Sequence, residues 1–168
     1  MTDDQANRGA PVTEGIVFRR AVVGDLQSII LLLADDELGR KREEVGAHPA
    51  AAYLDAFQAI SADPNQLLIV ADRSGQVVGT LQLSFMPGLS HRGMWRGQVE
   101  SVRVSAAERS AGLGQKMLEF AISQCKSRGC GVVQLTTDKR RSDAHRFYER
   151  LGFVATHEGF KMPLARQE

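Results

Sequence analysis

Hydrophobic positions along this chain follow two rhythms that take turns from residue 16 onward. Short apolar runs and alternations predict strands at 16–21, 67–71, 77–85, 99–104 and 132–137. The second and third of these close a hairpin around Arg73-Ser74-Gly75-Gln76. Apolar residues at helical spacing predict four helices. The first follows Asp25, placed to cap it, and carries Leu26, Ile29, Ile30 and Leu33. The others cover 50–60, 113–128 and 142–151, the last two ended by Gly129 and Gly152. Residues 38–49 are charged and glycine-punctuated and read as a loop. Residues 86–97, rich in Gly, Arg and His and holding Trp95, read as a connection. Residues 153–157 and 160–164 read as a short closing strand pair. Strand, helix, strand, helix after residue 99 implies parallel neighbours joined by right-handed crossovers, hence an α/β fold.

Composition narrows the picture. The 168 residues suit one domain over 16–168, behind a flexible polar arm at 1–15 that includes Gly9, Pro11 and Gly15. A net charge of +1 makes no electrostatic case for nucleic acid or an anionic membrane as partner. No run of eighteen apolar residues and no apolar leader stands in the chain, so a cytoplasmic protein is expected. Cys125 and Cys130 have neither disulfide-framework nor metal-site spacing, and no histidine cluster joins them; reduced thiols and no metal are expected.

The chemistry concentrates between Gln98 and Ala121. A strand pattern runs into Arg109-Ser110-Ala111-Gly112-Leu113-Gly114 and then an amphipathic helix. Gly112 and Gly114 allow a tight turn and a close ligand approach. The amides past them sit at a helix N-terminus, which favours an anion, and Arg109 adds a forked cation suited to phosphate. An ordinary tight turn would carry the same residues. A Walker loop is excluded by spacing, and a dinucleotide fingerprint by Met117 where a third glycine belongs. On the preceding strand, alternation puts Glu100, Val102 and Val104 on one face and Val99, Ser101 and Arg103 on the other. A carboxylate among apolar neighbours needs a reason, either catalysis or a salt bridge to Arg103 or Arg96.

Val102-Arg103-Val104 followed by Arg109 to Gly114 resembles the main motif of the GNAT superfamily of acetyl-coenzyme A-dependent N-acetyltransferases. Ala144-His145-Arg146-Phe147-Tyr148-Glu149-Arg150-Leu151-Gly152-Phe153 resembles its second element, and Phe18-Arg19-Arg20-Ala21 with Asp25 its opening. The resemblance covers about residues 16 to 164. It implies a central mixed twisted sheet with a splayed parallel strand pair, flanked by about four helices. It further implies that Glu100 acts as general base, directly or through water, and that Tyr148 protonates the departing thiolate. Phenol and thiol acidities, roughly 10 and 8.5, make that transfer plausible. For acetyl-coenzyme A the implied contacts are the backbone of Val102, Arg103 and Val104, the turn Arg109, Ser110, Ala111, Gly112, Leu113, Gly114 and Gln115, and Ala144 and Phe147. Arg141 stands where the family often has Asn, and reads either as a ligand of the adenosine 3′-phosphate or as lining of the acceptor site.

Acceptor specificity in the family comes from the segments that correspond here to 38–49 and 86–97. The second offers Phe85, Met86, His91, Met94 and Trp95, read as a partly apolar wall suited to a small primary amine. A protein lysine or N-terminus as acceptor, or a coenzyme A-binding module without catalysis, are the alternatives. Dimerisation is common in the family, and an exposed edge of the closing strands would serve it.

Overall fold

In the computed structural model, residues 15–164 are described, apart from the side chain of Leu38. The arm expected at 1–15 lies outside them, Gly15 excepted. In chain order the elements are β1 (Ile16–Arg20), a 3-10 turn (Val23–Asp25), α1 (Leu26–Ala34), the single-turn α2 (Glu37–Arg40), α3 (Ala51–Ala62), β2 (Gln66–Arg73) and β3 (Gln76–Met86). There follow the kinked turn α4 (Ser90–Gly93), β4 (Trp95–Val104), a 3-10 turn (Ala106–Glu108), α5 (Leu113–Ser127), β5 (Cys130–Leu135) and α6 (Ser142–Arg150). The sheet runs β1-β2-β3-β4-β5 in space, antiparallel up to β4 and parallel between β4 and β5.

Alternation within the strands sorts the sheet into two faces. Ile69, Ala71, Leu81, Leu83, Phe85 and Val99 meet Leu113, Met117, Leu118, Ala121 and Cys125 of α5, whose spacing puts them on one helical stripe. Leu68 and Val70 face the other way, against Ile29 of α1 and Phe57 and Ile60 of α3. Helix α5 lies close because β4 carries glycine at the contact: a Cβ on Gly97 would sit 2.2 Å from the Cys125 sulfur. Burial pushes the Cys125 thiol up to about 12, with Cys130 adding to the effect. Arg128, just past α5, stacks over Phe85 at 5.1 Å and Trp95 at 5.8 Å.

Two irregularities in β4 matter more than its length. Thr80 pairs with Arg103 and Gln82 with Glu100, so Ser101 and Val102 together oppose Leu81. This is a β-bulge, and Ser101 takes the left-handed conformation at φ 53°. The extra residue inverts the alternation. Val99 before the bulge and Val102 and Val104 after it all face α5, whereas Glu100 and Arg103 face α1. The face expected to hold Glu100 with Val102 and Val104 is therefore corrected: unbroken period two does not survive an inserted residue. Separately, the ladder to β5 runs from Trp95–Cys130 to Val99–Leu135 and stops, while β4 continues to Val104. β5 ends at Leu135, so the last residues of β4 have no ladder partner on that side.

Other sequence expectations shift as well. Residues 153–164 form no strand; Val154, Phe160, Met162 and Leu164 are all exposed, and among the described residues the outer edge of β5 stays unpaired. The closing edge expected to serve a dimer is thus absent from the described residues. The segment after α1 is not all loop, because the Asp36 carboxylate accepts from the Gly39 amide at 2.5 Å and nucleates α2. Asp25 stands at the start of α1 without capping it through its side chain. Its carboxylate instead accepts from the Val22 amide at 2.8 Å and from both terminal nitrogens of Arg19, at 2.6 and 2.9 Å.

The Arg19 hydrogen bonds, helped by Val22, hold the Asp25 carboxyl below the usual carboxylate range against the opposing effect of burial. A depressed folded pKa gives stability that is present above the unfolded pKa, about 4, and lost as pH falls through the folded value. Asp25→Asn should therefore cost about 2 kcal/mol near neutrality, with the gap to wild type closing below about pH 4 in urea titrations. Gly97→Ala should lower the urea midpoint by about 1–3 kcal/mol through overpacking. Gly97→Ala combined with Cys125→Ala should recover part of that loss, a non-additivity that independent sites would not show.

Candidate active site

The end of β4 past β5 gathers the residues that the sequence singled out. Past the bulge, the carbonyls of Val102 and Val104 take hydrogen bonds from side chains rather than from a strand: Arg103 Nη1 donates to Val102 at 3.0 Å and Arg109 Nε to Val104 at 3.3 Å. The chain then turns through Ser110 at φ 67° and Gly112 at φ 81° into α5. A non-glycine residue in that region costs about 1–3 kcal/mol, so Ser110 holds a strained place. Around Gly112 a Cβ would meet nothing within 4 Å; the backbone angle, not crowding, selects glycine, and the space outside the turn is open. Leu113 is 1% exposed, so the first residue of α5 anchors the turn to the core. The amides of Leu113, Gly114 and Gln115 begin the helix and have no carbonyl one turn back. These features fit a pyrophosphate held by backbone at a helix N-terminus.

The second motif docks onto the first. A Cβ on Gly114 would lie 3.5 Å from Phe147 and 3.8 Å from Val104, ordinary contact that brings α5, α6 and β4 to one point. Phe147 packs against Tyr148 at 5.2 Å, and Tyr148 edge-on against Phe153 at 6.0 Å. Tyr148 is half-buried, and its hydroxyl makes no hydrogen bond among the described residues. Burial raises its pKa, partly offset by the positive charges of Arg141 and Arg103. Ala144 is half-buried on the same helix; Arg141 stands at its start, and Gln115 on α5 is occupied with Glu119 at 2.8 Å.

Arg109, expected to reach phosphate, is tethered in this structure. Its Nη2 donates to the Asp35 carboxylate at 2.6 Å and to the Asp35 carbonyl at 3.1 Å, tying the glycine turn to the end of α1. The group remains half-exposed, with one side of the guanidinium open to solvent.

Glu100 lies on the opposite face, exposed in an open cleft of about 520 Å³ lined also by Gln66, Ser84, Gln98, Gln134 and Thr136. It makes no ion pair or hydrogen bond among the described residues, so the salt bridge to Arg103 or Arg96 is not formed. The cleft floor is a polar ladder across four strands. Gln66 Oε1 accepts from Gln82 at 3.1 Å and from Ser84 at 2.7 Å, and Gln134 donates to Gln98 at 2.8 Å. Next to it, across the Gln66–Gln82 bond, a smaller apolar hollow runs under α1 and α3 to Ser101. The apolar wall expected from 86–97 faces elsewhere: Phe85 and Trp95 join the α5 core and Met94 packs at Gly131, leaving Met86 alone at the cleft. His91, at φ 51°, is exposed on α4. The polar residues at 66, 82, 84, 98 and 134 carried a readable signal, since each alternates with an apolar neighbour, yet the sequence reading passed over them.

Among the described residues no helix is long and apolar enough to cross a membrane. Residues 31–153 match the model of the Acetyltransferase (GNAT) family. Aminoalkylphosphonate N-acetyltransferase of Salmonella typhimurium is 34% identical over 113 residues, 67% of this chain and 73% of that protein. A solved structure described as a transcriptional regulator from Bacillus halodurans C-125 superposes with a TM-score of 0.86 at 47% identity, covering 89% of this chain and 99% of that one. At 15% identity, AAC(6′)-Iy in complex with the bisubstrate analogue CoA-S-monomethyl-acetylneamine shares the fold with a TM-score of 0.71, covering 90% of this chain and 99% of that chain. The match over most of the folded domain, joined to the bulged β4 that runs on past β5, the glycine turn and Tyr148 on α6, makes this chain a member of the GNAT acetyltransferase family.

Proposed function

We propose that this chain transfers an acetyl group from acetyl-coenzyme A to a small-molecule primary amine by direct attack, in the cytoplasm. The observation that carries this reading is the stretch of β4 beyond Val99 that β5 does not pair, with Glu100 unpaired on one side and the hydroxyl of Tyr148 unbonded near the other end. Acetyl-coenzyme A supplies the activated thioester. The turn Arg109 to Gln115 holds its pyrophosphate through backbone amides, with Arg109 as a fixed cation at the rim. The free edge at Val102 to Val104 pairs with its pantetheine arm. Ala144 and Phe147 form the wall beside that arm. A backbone amide of the bulged strand polarises the acetyl carbonyl.

Glu100 takes a proton from the incoming ammonium, because a protonated nitrogen has no lone pair to attack with. Tyr148 gives its proton to the departing thiolate. Its burial keeps the phenol protonated until then, and the nearby Arg141 and Arg103 support the phenolate left behind. The similarity to an enzyme named for aminoalkylphosphonates supports a small amine as acceptor. A second reading is favoured by the similarity to the chain described as a transcriptional regulator: a module that binds acetyl-coenzyme A without turning over an amine.

Calorimetric titration with acetyl-coenzyme A should show binding by the wild type and a loss of about tenfold or more in Gly112→Val, where a branched side chain opposes φ 81°. No binding by the wild type would remove the cofactor assignment. Tyr148→Phe and Glu100→Gln should each lower kcat by about a hundredfold in an assay of thiol release. Unchanged turnover in either variant takes that residue out of the mechanism. Binding without turnover across a broad panel of amines and peptides would favour the second reading.

A further inference from the structure

The bulge that turns Glu100 toward α1 turns Arg103 the same way, into a place where positive charge is in excess. Arg103 Nη2 and Arg141 Nη2 converge on the same oxygen of Asp36, at 3.7 and 3.8 Å. Neither distance is a charge-assisted hydrogen bond, which runs at about 2.7–2.9 Å. The other Asp36 oxygen is occupied by the Gly39 amide. Arg42 adds a third cation to the same field. One carboxylate oxygen is thus shared by two guanidiniums.

Arg103 is the least satisfied of them. Its side chain is 17% exposed, its Nε is buried with no hydrogen-bond partner, and Nη1 is spent on the carbonyl of the neighbouring Val102. A buried donor without a partner costs about 1–3 kcal/mol, which a ligand that accepts from this guanidinium would recover. The groups facing it are Asp36 from the α1–α2 corner, Arg42 from the loop after α2, and Arg141 and Tyr148 from α6 and its start. Burial and the like charges of Arg141 and Arg42 lower its pKa despite Asp36, the signature of a cation short of counter-charge. Glu100, three residues earlier, does not supply that charge.

Resting on the acetyltransfer reading above, we propose that Arg103 and Arg141, backed by Arg42, seat an oxyanion carried by the acceptor, a phosphonate, phosphate or carboxylate a few bonds from its amine. The planar fork of arginine suits such a group, and displacement of the loose Asp36 contacts leaves that carboxylate its helix cap. Arg141 begins the helix that carries Tyr148, so an anion bound there places a nearby nitrogen at the thioester end of the site rather than at the glycine turn. The acceptor then spans from the arginines to the Glu100 cleft.

The test compares aminomethylphosphonate with its uncharged dimethyl ester as acceptors, each corrected to free base. The wild type should favour the phosphonate by about thirtyfold or more in kcat/KM, the range expected for a partly buried charge pair. Arg103→Gln and, at a more exposed position, Arg141→Gln should each shrink that ratio through the KM of the charged amine, with Arg103→Lys falling between. Equal use of the two amines by the wild type would overturn the seat while leaving acetyl transfer standing. A fall in acetyl-coenzyme A affinity in Arg103→Gln with the ratio unchanged would give these arginines to the cofactor and overturn it too. If neither amine is acetylated, methylphosphonate alone decides. A rise in thermal midpoint for the wild type that Arg103→Gln lacks would support the seat and sink the acceptor reading, and no rise in the wild type would overturn the seat.

Discussion

One inserted residue governs this site. With strict alternation along β4, Glu100 would point with Val102 and Val104 into the α5 core, where an unpaired carboxylate is not tolerated. The bulge at Ser101 lets the apolar side chains on both sides of it serve one core, while Glu100 and Arg103 share the other face. It also lies just past Val99, the last residue of β4 that pairs with β5. The strained angle at Ser101 is held by ordinary pairing on β3 before and after it. Strain of this kind persists where the surroundings over-determine it, and here it lies next to Glu100.

Around that strand the charges divide the work. Asp35 and Asp36, adjacent at the end of α1, hold different arginines: Asp35 fixes Arg109 at the glycine turn, and Asp36 attracts Arg103 and Arg141 on the side of Tyr148. A single corner therefore links the glycine turn to the opposite face of the sheet. Most of these pairs are partly exposed, where an ion pair is worth about 0–1 kcal/mol, so they orient side chains more than they hold the fold together. The fold rests instead on α5, whose inward stripe is fully buried against β2, β3 and β4.

Strand and helix positions were legible because alternation and helical spacing are local patterns. The glycine turn, the Ala144 to Phe153 motif and the parallel β4–β5 pair were legible in order and spacing, and the family and fold follow from them. What was not legible depends on pairing partners. The bulge is invisible in Glu100-Ser101-Val102, because nothing in those residues announces a skipped partner on β3. The tether of Arg109 needed Asp35, 74 positions away. The apolar reading of 86–97 failed because Phe85 and Trp95 found Arg128 and the α5 face instead of the cleft. The expected closing strands are not formed although the outer edge of β5 is free, because alternation in a sequence does not itself supply the pairing that makes a strand.

The amide-paved floor of the large cleft has a consequence of its own. A primary amide presents a donor at one end and an acceptor at the other, and half a rotation exchanges them. Gln66, Gln82, Gln98 and Gln134 bond to each other or to Ser84, which leaves Glu100 as the unpaired carboxylate of the cleft. A bonded pair that reverses together keeps its own hydrogen bond and offers a guest the opposite polarity. Such a lining is chemically ambidextrous. It accommodates the neutral body of a guest without choosing among guests, and it leaves selection to the few fixed charges at its ends.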